Sequence, residues 1–330
     1  MNMKLILARA AHRVEQLLEK ITRGPARDKP IIDCYGGYTS GDNVILRGRV
    51  LAQARKISAA GPQSKWRNFV DFLSLFQTDE LSGVDIVTQD ALGHAVTDEE
   101  GFFTLIWPMQ QTPPPTHIQI RAAGSDALHT VPVFSSVDKK RGIISDIDDT
   151  LLQTGAYSLL RNLWTSATGN VHTRKVFEDA VHLLKMFDTQ GACFFYVSSS
   201  PWNLYGYLQA IFHRTGLPLG PFFLRDLGIS DTQFITGTHG DHKTASIELI
   251  LAANPHLSFT LVGDTGQHDP HIYSDIVARH PGRIERVILR RPNEAELSLV
   301  VLDDLAKMRA HGAAVSIDYD YRNVLEDIVA

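Results

Sequence analysis

Two short apolar runs, far apart in the chain, each end abruptly in clustered carboxylates: Ile143-Ile144-Ser145-Asp146-Ile147-Asp148-Asp149-Thr150 and Leu261-Val262-Gly263-Asp264-Thr265-Gly266-Gln267-His268-Asp269. Runs of this length and apolarity read as buried parallel strands. Acids at the C-terminal ends of such strands sit where open α/β sheets place their ligands. Carboxylates packed together repel one another unless protons or a cation intervene. A hard divalent ion with oxygen ligands is the simplest remedy, and Mg2+ fits best. The pattern therefore predicts a parallel α/β sheet with a metal-assisted site suited to phosphoryl transfer.

The remainder of the chain sorts around that sheet. Apolar strands are predicted near residues 142–145, 192–197, 221–225, 258–262 and 285–290, with helical patterns such as Val176 to Phe187 and Leu204 to Arg214 between them. That alternation implies a parallel sheet covered on both faces with right-handed crossovers. A further helix over Pro292 to Gly312 and a short strand from Ala314 to Tyr319 form a C-terminal extension, so residues 137–330 read as one domain. Residues 31–136 read differently, as a small β-sandwich-like domain. Strand candidates at 43–51, 83–88, 102–107 and 117–121 are punctuated by Gly and Pro, and an inserted helix with Trp66, Phe69, Leu73 and Phe76 covers Ser64 to Thr78. Residues 1–30 carry Leu7, Ala11, Val14, Leu18 and Ile21 at helical spacing, flanked by Lys4, Arg9, Arg13, Lys20 and Arg23. This amphipathic helix either docks on its own protein or lies on anionic lipid.

Composition sets the compartment and excludes some partners. A net charge of −5 gives no reason to expect nucleic-acid binding. The only cysteines are Cys34 and Cys193, so a disulfide scaffold is not indicated and a reducing, cytoplasmic compartment is expected, with peripheral membrane contact through the N-terminal helix as the open variant. No apolar stretch approaches the roughly 18 to 20 residues needed to span a bilayer. Nothing in the sequence sets an oligomeric state.

Several residues at element ends could carry the chemistry. A carboxylate of the Asp146/Asp148 pair can attack phosphorus, and a second acid can protonate the leaving oxygen and then activate water. Thr150 offers a hydroxyl and an amide to order the turn. Ser198, Ser199 and Ser200 follow a strand, where a hydroxyl and free amides can hold a phosphate oxygen or simply cap the next helix. Lys243 can neutralise a transferred phosphoryl group or lie in solvent. His242 can touch substrate or pack, and Arg225 can pair with a phosphate or with Asp226. Asp264 can complete a cation site with Asp146 and Asp148, and Asp269 can join it directly or through water.

The order Asp-x-Asp-x-Thr, Ser, Lys, Gly-Asp-x4-Asp resembles the haloacid dehalogenase superfamily signature from 141 to 291. A narrower resemblance rests on Asp146–Thr150, Tyr196–Asn203, Gly220–Asp226, His242-Lys243 and Val262–Pro270. These are similar to the phosphatidate phosphatase catalytic domain of the actin-patch-protein type, a relative of the lipin catalytic domain. The resemblance implies Asp146 as nucleophile, Asp148 as general acid/base, Ser198 and Lys243 as phosphate binders, and Asp264 with the Asp148 carbonyl as Mg2+ ligands. It also implies Mg2+-dependent removal of phosphate from phosphatidate.

Large cap domains in this superfamily enter after the first or third strand. Here about 40 residues follow Thr150 and about 17 separate Arg225 from Lys243, too few for a sizeable folded cap. A weakly covered site suits a phosphate presented by something large, such as a bilayer or a protein. Leu151 to Thr165, with Tyr157, Leu159, Leu160, Leu163 and Trp164, either forms an apolar lip there or packs on the core. Two further readings stay open: a protein or nucleotide phosphatase of the same fold, and a catalytically silent membrane or protein adaptor.

Overall fold

The computed structural model of the chain describes residues 30–52, 80–153, 176–225 and 239–329. The expected N-terminal helix, the inserted helix over Ser64 to Thr78 and most of the Leu151–Thr165 lip lie outside the described residues.

The N-terminal strands are β1 (Ile31–Ser40), β2 (Asn43–Leu51), β3 (Asp85–Thr88), β4 (His94–Val96), β5 (Phe102–Pro108), β6 (His117–Ala122) and β7 (His129–Phe134). The expected two-sheet sandwich is not confirmed. Hydrogen bonding runs through one mixed sheet in the order β4-β3-β6-β7-β1-β2-β5, with β1 and β7 parallel and the other pairs antiparallel. The sheet curls until its edge strands β4 and β5 approach each other, so one continuous ribbon encloses a core of Val44, Leu46, Ile86, Leu105, Ile120 and Val131. Alternation of apolar and polar residues fixes which face is buried but not how many sheets share the burial. The sequence was therefore silent on this choice.

Six parallel strands form the second sheet: β8 (Arg141–Asp146), β9 (Cys193–Pro201), β10 (Phe222–Arg225), β11 (Ser258–Asp264), β12 (Ile284–Arg290) and β13 (Ala314–Asp318), in the order β10-β9-β8-β11-β12-β13. The five strands expected from apolar runs are all present, and the short strand near 314 joins the edge, parallel to β12. Among the described residues the helices are α1 (Glu178–Thr189), α2 (Tyr205–Thr215), α3 (His239–Ala253), α4 (Asp269–Arg279), α5 (Leu299–Ala310) and α6 (Tyr321–Val329). Two apolar clusters line the sheet faces, one around Ile143, Leu184, Phe212 and Val262, the other around Ile144, Ile250, Leu261 and Ile276. The split follows from period-two alternation, since Ile143 and Ile144 are successive residues of β8. A Cβ on Gly142 would lie 2.4 Å from the ring of Phe259, so glycine there lets β8 and β11 pack with that ring between them.

The two sheets share these cores. Tyr35 stacks on Trp202 with ring centroids 4.4 Å apart, and Tyr38 meets Phe223 at 5.5 Å. The Ser136 hydroxyl bonds the Asn254 side-chain oxygen. No helix among the described residues is long and apolar enough to cross a membrane.

Candidate active site

Strand order brings the two acidic turns together. β8 and β11 are neighbours with Ser145 opposite Val262, so Asp146 and Asp264 emerge side by side. On the other flank of β8, Asp146 pairs with Val197, which places Ser198 one step beyond. Asp149 has a left-handed backbone with φ of 58°, a conformation Asp tolerates better than most residues. It turns the chain sharply, and its amide donates to the Leu152 carbonyl at 2.8 Å.

Asp146, Asp264 and Asp269 are buried and offer carboxylate oxygens that all lie within 4.8 Å of one another. Lys243, near the start of α3, puts Nζ 2.8 Å from Asp146 Oδ1 and 2.6 Å from Asp269 Oδ1. Thr150 Oγ1 donates to Asp146 Oδ2 at 3.1 Å. Asp269 opens α4, and its Oδ2 accepts the Asp264 amide at 3.2 Å. A Cβ on Gly263 would sit 2.5 Å from that oxygen, so only glycine admits Asp269 to the strand end. Asp264 Oδ1 accepts the Gly266 amide at 2.7 Å, whereas the buried Asp264 Oδ2 has no hydrogen-bond partner.

Three buried carboxylates thus face one ammonium, and the electrostatics follow. Burial raises Asp146 well above the ordinary carboxylate range; Lys243 opposes this, while Asp269, Asp264 and Asp148 add to it. Burial, then the charge of Asp269, pushes Asp264 up to about 8 against the pull of Lys243 and the Gly266 amide. Burial works against the charge on Lys243, but Asp146 and Asp269 outweigh it and hold the ammonium well above the usual lysine range. An oxygen-only donor set with excess negative charge and one orphaned carboxylate oxygen fits a hard divalent cation.

This gives a pH prediction with a definite sign. A carboxyl whose folded pKa is raised contributes stability that is complete below its unfolded value, about 3.9, and is lost as pH rises through the folded value. In EDTA the unfolding midpoint should therefore fall between pH 5 and pH 8, and added Mg2+ should raise it more at pH 8 than at pH 5, because the ligands must be deprotonated to bind. An equal Mg2+ increment at both pH values would contradict the assigned cluster.

Not every expected residue joins this cluster. The Asp148 carboxylate, expected among the metal ligands, lies outside it: Ser198 Oγ and Ser200 Oγ each donate to Asp148 Oδ2 at 2.8 Å. Asp146 is the last residue of its strand and Asp148 lies beyond it, where its carboxylate is taken up by the serines, although its charge still acts on Asp146. The sequence reading left the three serines 198–200 equivalent; the signal that couples Ser200 with Ser198 is their two-residue step, which returns a strand side chain to the same face. By the same alternation Ser199 lies on the opposite face from Ser198 and Ser200. Arg225 ends β10 opposite Pro201, at the serine end of the sheet. His242 lies below its ordinary range, first through burial and then through the charges of Arg225, Arg47 and Lys243, despite a hydrogen bond to the Phe223 backbone. Arg47 comes from the N-terminal sheet and sits 5.3 Å above the Trp202 ring; no sequence spacing pointed to it. The expected pairing of Arg225 with Asp226 lies outside what is described.

The same segment of the chain is matched among known proteins. Residues 141–291 match the family described as phosphatidate phosphatase APP1, catalytic domain. Phosphatidate phosphatase APP1 of Saccharomyces cerevisiae is 30% identical over 153 residues, which is 45% of this chain and 25% of that protein. An uncharacterized protein of Schizosaccharomyces pombe is 27% identical over 150 residues, 45% of this chain and 24% of that one. The chain thus spans about a quarter of the length of these curated relatives. Among solved structures, the class C acid phosphatase from Bacillus anthracis with tungstate bound has a TM-score of 0.30 at 16% identity, over 44% of this chain and 65% of that chain. A phosphoserine phosphatase in apo form has a TM-score of 0.34 at 15% identity, over 57% of this chain and 98% of that chain.

Proposed function

With residues 141–291 matching a phosphatidate phosphatase catalytic domain, we propose that the chain is a Mg2+-dependent phosphatase of lipid phosphate monoesters. The observation that carries this is the buried meeting of Asp146, Asp264, Asp269 and Lys243 at adjoining strand ends. Mg2+ would be held by Asp146 and Asp264, with Asp269 completing the acidic cluster and the Asp148 carbonyl as a further oxygen; when bound, it supplies charge neutralisation for the phosphate oxygens. Asp269 already accepts a hydrogen bond on each oxygen, from Lys243 and from the Asp264 amide. It therefore serves mainly to fix those two partners.

In the proposed reaction Asp146 attacks phosphorus and forms an aspartyl-phosphate as the P–O bond to the alcohol breaks. Asp148 gives its proton to the leaving oxygen. Water then attacks phosphorus, its proton passes to Asp148, and phosphate leaves with the Asp146 carboxylate restored. Ser198 and Ser200 hold Asp148 in place, Thr150 holds Asp146 through its hydroxyl, Lys243 faces the charge on the phosphoryl oxygens, and Ser199, Arg225 and His242 are the remaining candidates for substrate contact.

Two observations favour a lipid over a small soluble ester. The segments after Thr150 and after Arg225 are too short for a folded cap that would enclose a metabolite. Leu299 and Val300, 84% and 68% exposed, start α5. That helix returns from the end of β12 that lies beside Asp264, so its apolar start is on the catalytic side of the sheet. A peripheral, cytoplasmic enzyme acting at a membrane surface fits both. The test is phosphate release from phosphatidate in phosphatidylcholine vesicles, against a phosphopeptide, a nucleotide and a sugar phosphate. Turnover of phosphatidate is expected in Mg2+ and none in EDTA. Preference for the phosphopeptide or nucleotide would favour the protein or nucleotide phosphatase reading, and vesicle binding without any turnover would favour an adaptor.

A further inference from the structure

The family match stops at Arg291, but the structure that holds the acids does not. Tyr321, at the start of α6, is fully buried. Its hydroxyl donates to the Gly263 carbonyl at 2.9 Å, the peptide oxygen immediately before Asp264. The N–H of that same peptide unit donates to Asp269 Oδ2. The plane from which Asp264 projects is therefore pinned at both ends.

Tyr321 is also part of a second connection. Its backbone N–H donates to Asp179 Oδ2 at 2.7 Å, and Arg290 Nη2 donates to the same oxygen at 2.7 Å. The Arg290 guanidinium lies between the rings of Phe177 and Tyr321, at 4.0 Å and 4.1 Å from their centroids. Its Nε donates to the Thr150 carbonyl at 3.3 Å and its Nη1 to the Tyr319 carbonyl at 2.7 Å. Thr150 in turn bonds Asp146 through its hydroxyl. One buried assembly thus reaches both acidic turns, and Tyr319 and Tyr321 join it from the chain beyond the matched span.

We infer that residues 314–329 are a working part of the catalytic unit, with Tyr321 a positioning residue that orients Asp264 and, through Arg290, the Asp146–Thr150 turn for a divalent cation. This rests on the metal-site reading above. Groups that orient metal ligands affect affinity strongly because the ligand must be aimed before the ion arrives, and losing one typically costs 10- to 100-fold.

The test is Tyr321→Phe in the full chain. It removes one hydroxyl and leaves the ring over Arg290 and the backbone bond to Asp179. Mg2+ affinity, measured by calorimetry without substrate, should weaken about 10-fold, and kcat on phosphatidate should fall with KM little changed. The unfolding midpoint in EDTA should move little. Arg290→Lys keeps a cation against Asp179 but loses the bond to the Thr150 carbonyl, and it should weaken Mg2+ binding as well. Tyr319→Phe should behave as the unaltered chain. Unchanged Mg2+ affinity in Tyr321→Phe, or a lowered EDTA midpoint with unchanged affinity, would overturn the inference while leaving the metal site intact. Absence of Mg2+ binding by the unaltered chain would overturn both.

Discussion

Asp146→Asn is expected to abolish phosphate release, by about 10⁴-fold or more, while the protein stays folded. The amide is close in shape to the carboxylate but cannot attack phosphorus. Loss of the charge is tolerable because Lys243 retains Asp269 at 2.6 Å, so no buried ammonium is left alone. An amide at 146 also escapes the burial penalty on a charged carboxylate and the repulsion from Asp269, Asp264 and Asp148 that raise Asp146. In EDTA at pH 8 the variant should therefore be at least as stable as the unaltered chain, with a smaller gain from Mg2+. Turnover within a few-fold of the unaltered chain would remove Asp146 from the nucleophile role. Unfolding of the variant would show that the carboxylate is needed for structure.

The largest stability effect is expected at Asp179, in the first turn of α1. Asp179→Ala strips the carboxylate from an Arg290 side chain that is 4% exposed. An uncompensated buried guanidinium costs about 3–5 kcal/mol. The Tyr321 amide loses its acceptor in the same step. The urea midpoint should fall accordingly. Pairing Asp179→Ala with Arg290→Met should cost less than the sum of the two single changes, because the stranded charge is then gone. Additive losses would mean that the pair is not coupled as the 2.7 Å contact indicates.

Much of the parallel sheet was legible because burial on both faces forces strands into continuous apolar runs, as in Ile143–Ile144 and Leu261–Val262. The candidate acids were legible because carboxylates directly after such runs have few structural uses. What escaped were arrangements between distant segments. The Asp179–Arg290 pair spans 111 positions, and neither residue sits in a pattern that sets it apart from an ordinary surface charge. Ser200 looked like one of three equivalent hydroxyls until strand alternation sent it and Ser198 to the same carboxylate. Asp148 was grouped with the metal ligands beside Asp146 and Asp264, but its carboxylate accepts from Ser198 and Ser200, two hydroxyls that only the neighbouring strand brings to it. The N-terminal strands were recognisable singly, yet a curled single sheet and a sandwich impose the same alternation on them.

By itself the sequence determined which segments must be buried strands and which chemical groups stand at their ends, since both follow from local apolarity and residue type. Tertiary structure alone decided which of those groups meet. Strand order set β8 beside β11, and the return of the chain through β13 and α6 placed Tyr321 against Gly263. Such meetings depend on packing between segments remote in the chain, where no local pattern records the partner.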